Sequence, residues 1–195
     1  MQKHTVQVNL SHRHIHITDE DVATLFGPNT TLTPKTHLLQ PGQYAAEETV
    51  SISGPAGSIE KVRVVGPTRA DTQCEILTGD CYTLGLKITE VPVRLSGNIA
   101  DSASFTITGP AGTMTKKEGL IIAQRHIHID PTNAASYSLS DGQVVDIRLT
   151  TPHKQLTLHD TVVRVSETSV LECHIDIEEG NAAGIGNGHE AEIVP

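Results

Sequence analysis

The chain has no tryptophan and, among 195 residues, only two phenylalanines and three tyrosines, so no aromatic cluster can organise its interior. The core has to be built from Val, Ile and Leu, and with frequent Gly, Pro and Thr this composition favours a mainly β fold with many turns. Basic residues are scarce, 14 Lys and Arg against 23 Asp and Glu, for a formal charge of −9. Nucleic acid is excluded as a partner, since its phosphates require a basic face. A small anionic substrate is not, because a metal ion and a few arginines can reverse the field locally. The three cysteines, Cys74, Cys81 and Cys173, are an odd number without a Cys-x-x-Cys pair. Each lies in or beside an apolar run, as small packing residues do in a reducing compartment. No stretch is apolar enough to span a bilayer, and Met1-Gln2-Lys3-His4 runs directly into the strand-like Val6–Leu10 with no signal peptide. The expected setting is therefore the cytoplasm, without a membrane partner.

What the chain does have is a repeat. Arg13-His14-Ile15-His16-Ile17 recurs as Arg125-His126-Ile127-His128-Ile129. Polar and apolar residues alternate with the period of a half-buried strand. Residues i and i+2 of a strand share a face and sit roughly 6.5–7 Å apart, so each pair of imidazoles can converge on one ion while the isoleucines enter the core. A single His-x-His on a wet strand face can also serve solubility alone; recurrence of five identical residues is what favours a metal role. Each copy then feeds a short helix. Thr18 resembles an N-cap ahead of a helix ending near Gly27-Pro28, and Asp130-Pro131 is an N-cap with proline at N1 ahead of a helix running to about Tyr137.

A second repeat is nested inside: Gly54-Pro55-Ala56-Gly57 and Gly109-Pro110-Ala111-Gly112 read as hairpin turns, and no helix follows either to make it a phosphate loop. A first strand is expected from Val6 to Ile17, and further strands at 61–65, 74–78, 92–96, 120–129, 144–149, 156–159, 161–165, 171–177 and 192–194. So many short strands point to two small β-barrels with short capping helices, pseudo-two-fold related. The Gly180-Asn181-Ala182-Ala183-Gly184 and Gly186-Asn187-Gly188 stretches read as loops approaching a ligand or partner backbone.

Catalytic zinc usually takes three protein ligands and keeps an open position. Glu75, in Gln73–Leu77, and His174, in Leu171–Asp176, alternate with apolar neighbours; taken alone, Glu75 reads as a surface carboxylate, and His174 reads equally as a satisfied strand histidine. Arg69, in Gly66-Pro67-Thr68-Arg69, precedes Glu75 by six residues. The two Arg-His-Ile-His copies, Gly-Pro-Thr-Arg with Glu75, His174-Ile175-Asp176 with Asn181-Ala182-Ala183-Gly184, Gln40-Pro41-Gly42-Gln43 through Val50, and Gly119–Ala123 together resemble the PduL-type phosphate propanoyltransferase family, in order over nearly the whole chain.

That resemblance implies a phosphotransacylase exchanging a propanoyl or acetyl group between coenzyme A and inorganic phosphate. It implies two zinc ions per chain, one held by His14, His16 and Glu75 and one by His126, His128 and His174, with Arg69 holding phosphate. Ser11, Arg63 and Asn181 match positions near coenzyme A, although Arg63 also fits an exposed position of an alternating strand. It further implies a discontinuous barrel of residues 1–12 and 124–195, a second barrel of 13–123, an active site in the cleft between them, and a homodimer. No leader helix of the kind that directs such enzymes into bacterial microcompartments precedes the first strand. Position 12 is His where relatives carry a smaller or polar residue; on the same strand parity as His14, it is expected to line the pocket. Two alternatives compete. His14-x-His16 with Glu20 and Gly27 fits a cupin-like metal-dependent β-barrel enzyme, although Glu20 falls in a helix cap; the other alternative is a non-catalytic metal-binding module.

Overall fold

The computed structural model describes residues 3–194. In chain order its elements are β1 (His4–Ser11), β2 (His14–His16), α1 (Asp19–Phe26), β3 (Pro34–His37), β4 (Tyr44–Ser53), β5 (Ser58–Gly66), β6 (Gln73–Ile76), α2 (Asp80–Leu84), β7 (Val93–Arg94), β8 (Ala103–Thr108), β9 (Thr113–Ala123), β10 (His126–Ile129), α3 (Pro131–Tyr137), β11 (Val144–Thr150), β12 (Gln155–Val165), β13 (Glu172–Asp176), α4 (Ile177–Ala183) and β14 (His189–Val194). Two compact units result: residues up to His12 together with Gln124 onward, and Arg13–Ala123.

Each unit is a closed six-stranded barrel. In the first, the strands run β1-β13-β10-β12-β11-β14 and close on β1. In the second, β4-β5-β2-β6-β9 is closed by β8, which pairs with both β9 and β4; β3 and β7 are appended outside the ring. The pairing pattern repeats. β10 lies parallel to β12 and antiparallel to β13, as β2 lies parallel to β5 and antiparallel to β6. Closure leaves no open ring edge, which is how short strands are made stable.

The alternation of the repeated motif decides which side chains fill each barrel. Ile15 and Ile17 pack with Val64, Cys74 and Leu120 in one core; Ile127 and Ile129 pack with Val163, Cys173 and Ile175 in the other. The three cysteines are buried and form no disulfide, in agreement with their reading as packing residues.

Several expectations change. The strand expected from Val6 to Ile17 is broken at His12-Arg13, and that expected at 120–129 is broken at Gln124-Arg125, because at both places the chain leaves one barrel for the other. His12 lies in the break, exposed, so the strand parity that linked it to His14 does not hold. Residues 156–165 form one strand, with Asp160 at φ 59°. The stretch from Gly180 to Ala183, read as loop, is the second half of α4. Its start is a capping box in which Asp176 Oδ1 accepts from the Glu179 amide while Glu179 Oε2 accepts from the Asp176 amide.

Both Gly-Pro-Ala-Gly stretches are hairpin turns, and each caps a helix C-terminus. The Ala56 amide donates to Leu84 O at the end of α2 (3.1 Å), and the Ala111 amide to Leu25 O near the end of α1 (2.9 Å). Helix ends leave carbonyls without intrahelical donors, and these turns supply them. A Cβ on Gly54 or Gly109 would fall well inside van der Waals contact of the Leu84 or Leu25 carbonyl, and one on Gly57 or Gly112 inside that of the Thr83 or Thr24 carbonyl. In the other barrel a side chain does the same work: Lys154 Nζ donates to Ala182 O in α4 (3.2 Å).

Overpacking of this kind costs about 1–3 kcal/mol. Gly57→Ala is therefore expected to lower the urea-unfolding free energy by roughly that amount. Gly186→Ala, where a Cβ meets nothing within 4 Å, should stay within about 0.5 kcal/mol of the parent. Equal effects of the two changes would remove the turn–helix contact as the reason for the glycines.

Candidate metal centres

Two side chains of one short strand and one from its antiparallel neighbour make each centre. In β2, His14 and His16 are i and i+2 and share a face; β6 sets Glu75 directly opposite His14. In β10, His126 and His128 share a face, and β13 sets His174 directly opposite His126. Directly opposed residues have Cβ atoms roughly 4.5–5.5 Å apart, so ladder register alone brings the third side chain to the first two. Within each trio the candidate ligand atoms all lie within 4.8 Å of one another. His14 Nε2 is 3.5 Å from Glu75 Oε2, and His126 Nε2 is 3.1 Å from His128 Nε2. The His174 ring stands edge-on to both, with centroids 5.2 and 5.1 Å away.

The rings are held from behind. His16 Nδ1 is 2.9 Å from Val65 O and His126 Nδ1 is 2.8 Å from Gln124 O. A main-chain carbonyl can only accept a hydrogen bond, so Nδ1 carries the hydrogen and Nε2 is left as the lone-pair nitrogen, the usual tautomer control on a metal-ligating histidine. Burial, with His14 and Arg69 nearby, lowers the His16 pKa to about 3 despite the opposing Glu75. Burial, with His126, His174 and Arg164, lowers that of His128 to about 3. Both are uncharged at neutral pH, the state a metal requires. Three nitrogen or oxygen donors converging within one coordination sphere fit a zinc centre with a position left open.

Arg69 is half-buried on the 67–72 segment, anchored by its amide to Ile17 O (3.0 Å). Its Nη1 donates to Ser96 Oγ (2.9 Å), and Gln73 Nε2 donates to the same oxygen (2.8 Å) and to Glu75 Oε1 (2.7 Å). Arg69 and Glu75 are thus two ends of one hydrogen-bonded chain. The three positions matched to coenzyme A each have surroundings of their own. Ser11 Oγ donates to Ile175 O (3.4 Å), Arg63 Nη1 donates to Ala46 O (2.9 Å) and Glu47 O (2.8 Å), and Asn181 is exposed on α4. Glu20, the carboxylate of the cupin-like alternative, is exposed on α1; Glu75 stands beside His14 and His16 instead.

Reading the chain in one dimension missed Gln73, Ser96 and Glu172, because their signal is cross-strand register. It also missed what the repeated arginine does. Arg13 clasps Asp80 through two contacts (2.7 and 2.8 Å) at the start of α2, and Arg125 pairs with Glu179 in α4 (2.5 Å). In both barrels this ties the ligand-bearing strand to the helix after the strand that carries the third ligand.

A family model described as phosphate propanoyltransferase matches residues 7–186. Proteins named phosphate propanoyltransferase are similar over most of their length. That of Rhodobacter capsulatus is 46% identical over 182 residues, covering 93% of this chain and 83% of the relative. That of Thermotoga maritima is 44% identical over 187 residues, covering 96% and 88%. That of Priestia megaterium is 48% identical over 188 residues, covering 96% and 84%.

In protein stripped of divalent metal with a chelator, His16 and His128 take up protons near pH 3 when folded and near 6.5 when unfolded. Below pH 6.5 the unfolded chain binds protons that the folded chain does not, so stability falls as pH drops from 6.5 toward 3. The thermal midpoint should decline over that window. Replacing both residues with glutamine should flatten the decline; an unchanged slope would show that these imidazoles are not held neutral by the fold.

Proposed function

Because the chain belongs to the phosphate propanoyltransferase family, a family of acyltransferases, we propose that it moves a propanoyl or acetyl group between coenzyme A and inorganic phosphate by direct attack of phosphate on the thioester. The observation that carries this reading is the pair of equivalent three-donor clusters. One zinc would be held by His14, His16 and Glu75 and a second by His126, His128 and His174. Bound there, zinc supplies Lewis-acid stabilisation for charge on the thioester carbonyl oxygen and the departing thiolate, a soft group for which it has good affinity.

The chain's own residues do the positioning. The planar guanidinium of Arg69 pairs with phosphate oxygens and, pinned through Ser96 and its own amide, presents the nucleophile in a fixed orientation. Phosphate oxygen bonds to the acyl carbon, the carbon–sulfur bond breaks, and the electron pair leaves on coenzyme A sulfur. Ser11, Arg63 and Asn181 are assigned to coenzyme A on the family match. No acyl-enzyme is needed. Cys173 is the cysteine next to a ligand position in β13, yet it faces the barrel core, and burial raises its thiol pKa further from the reactive thiolate. The same reading makes the protein a cytoplasmic homodimer.

Purified zinc-loaded protein given acetyl-phosphate or propanoyl-phosphate and coenzyme A should form thioester, followed by absorbance of the new thioester bond. Zinc-loaded protein that exchanges neither acyl group would overturn the transferase reading. Arg69→Ala should lower kcat/KM for the acyl phosphate by about 10²-fold or more, with zinc content unchanged. Cys173→Ala should retain most activity; complete loss would instead require a covalent intermediate.

A further inference from the structure

In each barrel the ligand-bearing face is a two-by-two square of side chains, and only three of its corners have so far been given a task. In the first square His14 faces Glu75, and His16 faces Gln73. In the second, His126 faces His174, and His128 faces Glu172. Gln73 and Glu172 therefore occupy the same corner, two residues before the third ligand on the same strand face. Both are almost fully buried, at 2% and 3% exposure.

Their chemistry is opposite, and so is that of the group each one touches. Gln73 Nε2 donates to the Glu75 carboxylate at 2.7 Å. Glu172 Oε1 stands 3.1 Å from His174 Nε2, within reach of a proton on that nitrogen. A carboxylate ligand is met by an amide donor, and an imidazole ligand is met by a carboxylate acceptor. Each corner is itself braced. Gln73 Oε1 accepts from the Gly97 amide (2.6 Å) and its Nε2 also reaches Ser96; Glu172 Oε1 accepts from Asn9 Nδ2 (2.6 Å), whose Oδ1 accepts from the Gly188 amide (3.0 Å).

We infer that Gln73 and Glu172 are a matched pair of positioning residues, each orienting the third ligand of its own centre by a hydrogen bond of the polarity that ligand requires. This rests on the metal-holding reading proposed above. Glu172 is not a fourth ligand: the corner equivalent to it in the other barrel is a neutral amide, and its oxygen is turned to His174 and Asn9. Partners of metal ligands typically contribute 10–100-fold to metal affinity, and one consequence is a tautomer. His174 carries its proton on Nε2, toward Glu172, whereas His126 carries its own on Nδ1, toward Gln124 O.

The isosteric swaps discriminate, because they alter polarity without altering shape. Gln73→Glu replaces the donor by an acceptor facing Glu75, and is expected to weaken zinc binding at that centre by about 10–100-fold in a chelator-competition titration, leaving the other centre unchanged. Glu172→Gln keeps an acceptor oxygen and should lose less than Glu172→Leu, which keeps none. Circular dichroism of every variant establishes that it is folded. In zinc-loaded protein labelled with ¹⁵N-histidine, His174 should show a protonated Nε2. Unchanged zinc affinity in Gln73→Glu and Glu172→Leu, or a protonated Nδ1 on His174, would overturn this inference alone. A parent protein that takes up no zinc at all would overturn the metal-holding reading beneath it.

Discussion

Backbone hydrogen bonding between two short antiparallel strands is the constraint on which both centres depend. A three-residue strand, β2, and a four-residue strand, β10, each lie between a parallel and an antiparallel neighbour. Register with the antiparallel neighbour sets Glu75 across from His14 and His174 across from His126. A slip of one residue would turn those side chains into the barrel core and bring Cys74 or Cys173 to the outer face. The tightly filled interiors, with Ile15, Ile127, Cys74 and Cys173 all fully buried, forbid that slip. Core packing therefore holds the donor geometry.

The supports around the strands repeat between barrels in position more than in chemistry. An arginine of the repeated motif reaches an acid on the following helix in both, but the acid is Asp80 at the first residue of α2 and Glu179 at the third of α4. A hairpin tip caps a helix C-terminus in both, by an alanine amide in one and by the Lys154 ammonium in the other. The fourth corner of each ligand square is a buried polar residue in both, amide against carboxylate. Such a pattern arises when geometry is kept and each local partner adapts to the group it must satisfy, since a buried polar group without a partner is costly.

Much of this was legible one residue at a time. The Arg-His-Ile-His repeat, its strand period, the helix starts at Thr18 and Asp130, and the Gly-Pro-Ala-Gly turns all carry local signals; composition points to a mainly β fold, and the many short strands point to barrels. The misreadings have local causes too. Val6–Leu10 and Ile15–Ile17 each alternate and read together as one strand, yet the polar run Ser11–His14 between them shifts the apolar phase by one residue, and there the chain passes from one barrel to the other. The glycines around Asn181 suggest loop, while the Asp176–Glu179 capping box immediately before them outweighs them.

By itself, then, the order of residues determined which side chains share a strand face: His14 with His16, His126 with His128, and the isoleucines opposite them. That relation depends only on the two-residue repeat of an extended chain. Which distant residues complete each cluster was decided by tertiary structure alone. Glu75 and His174 reach their histidines, and Gln73 and Glu172 reach Glu75 and His174 in the required polarity, because inter-strand pairing joins segments far apart in the chain. The register of that pairing is selected by the packing of a whole barrel, a property that no short stretch of sequence contains.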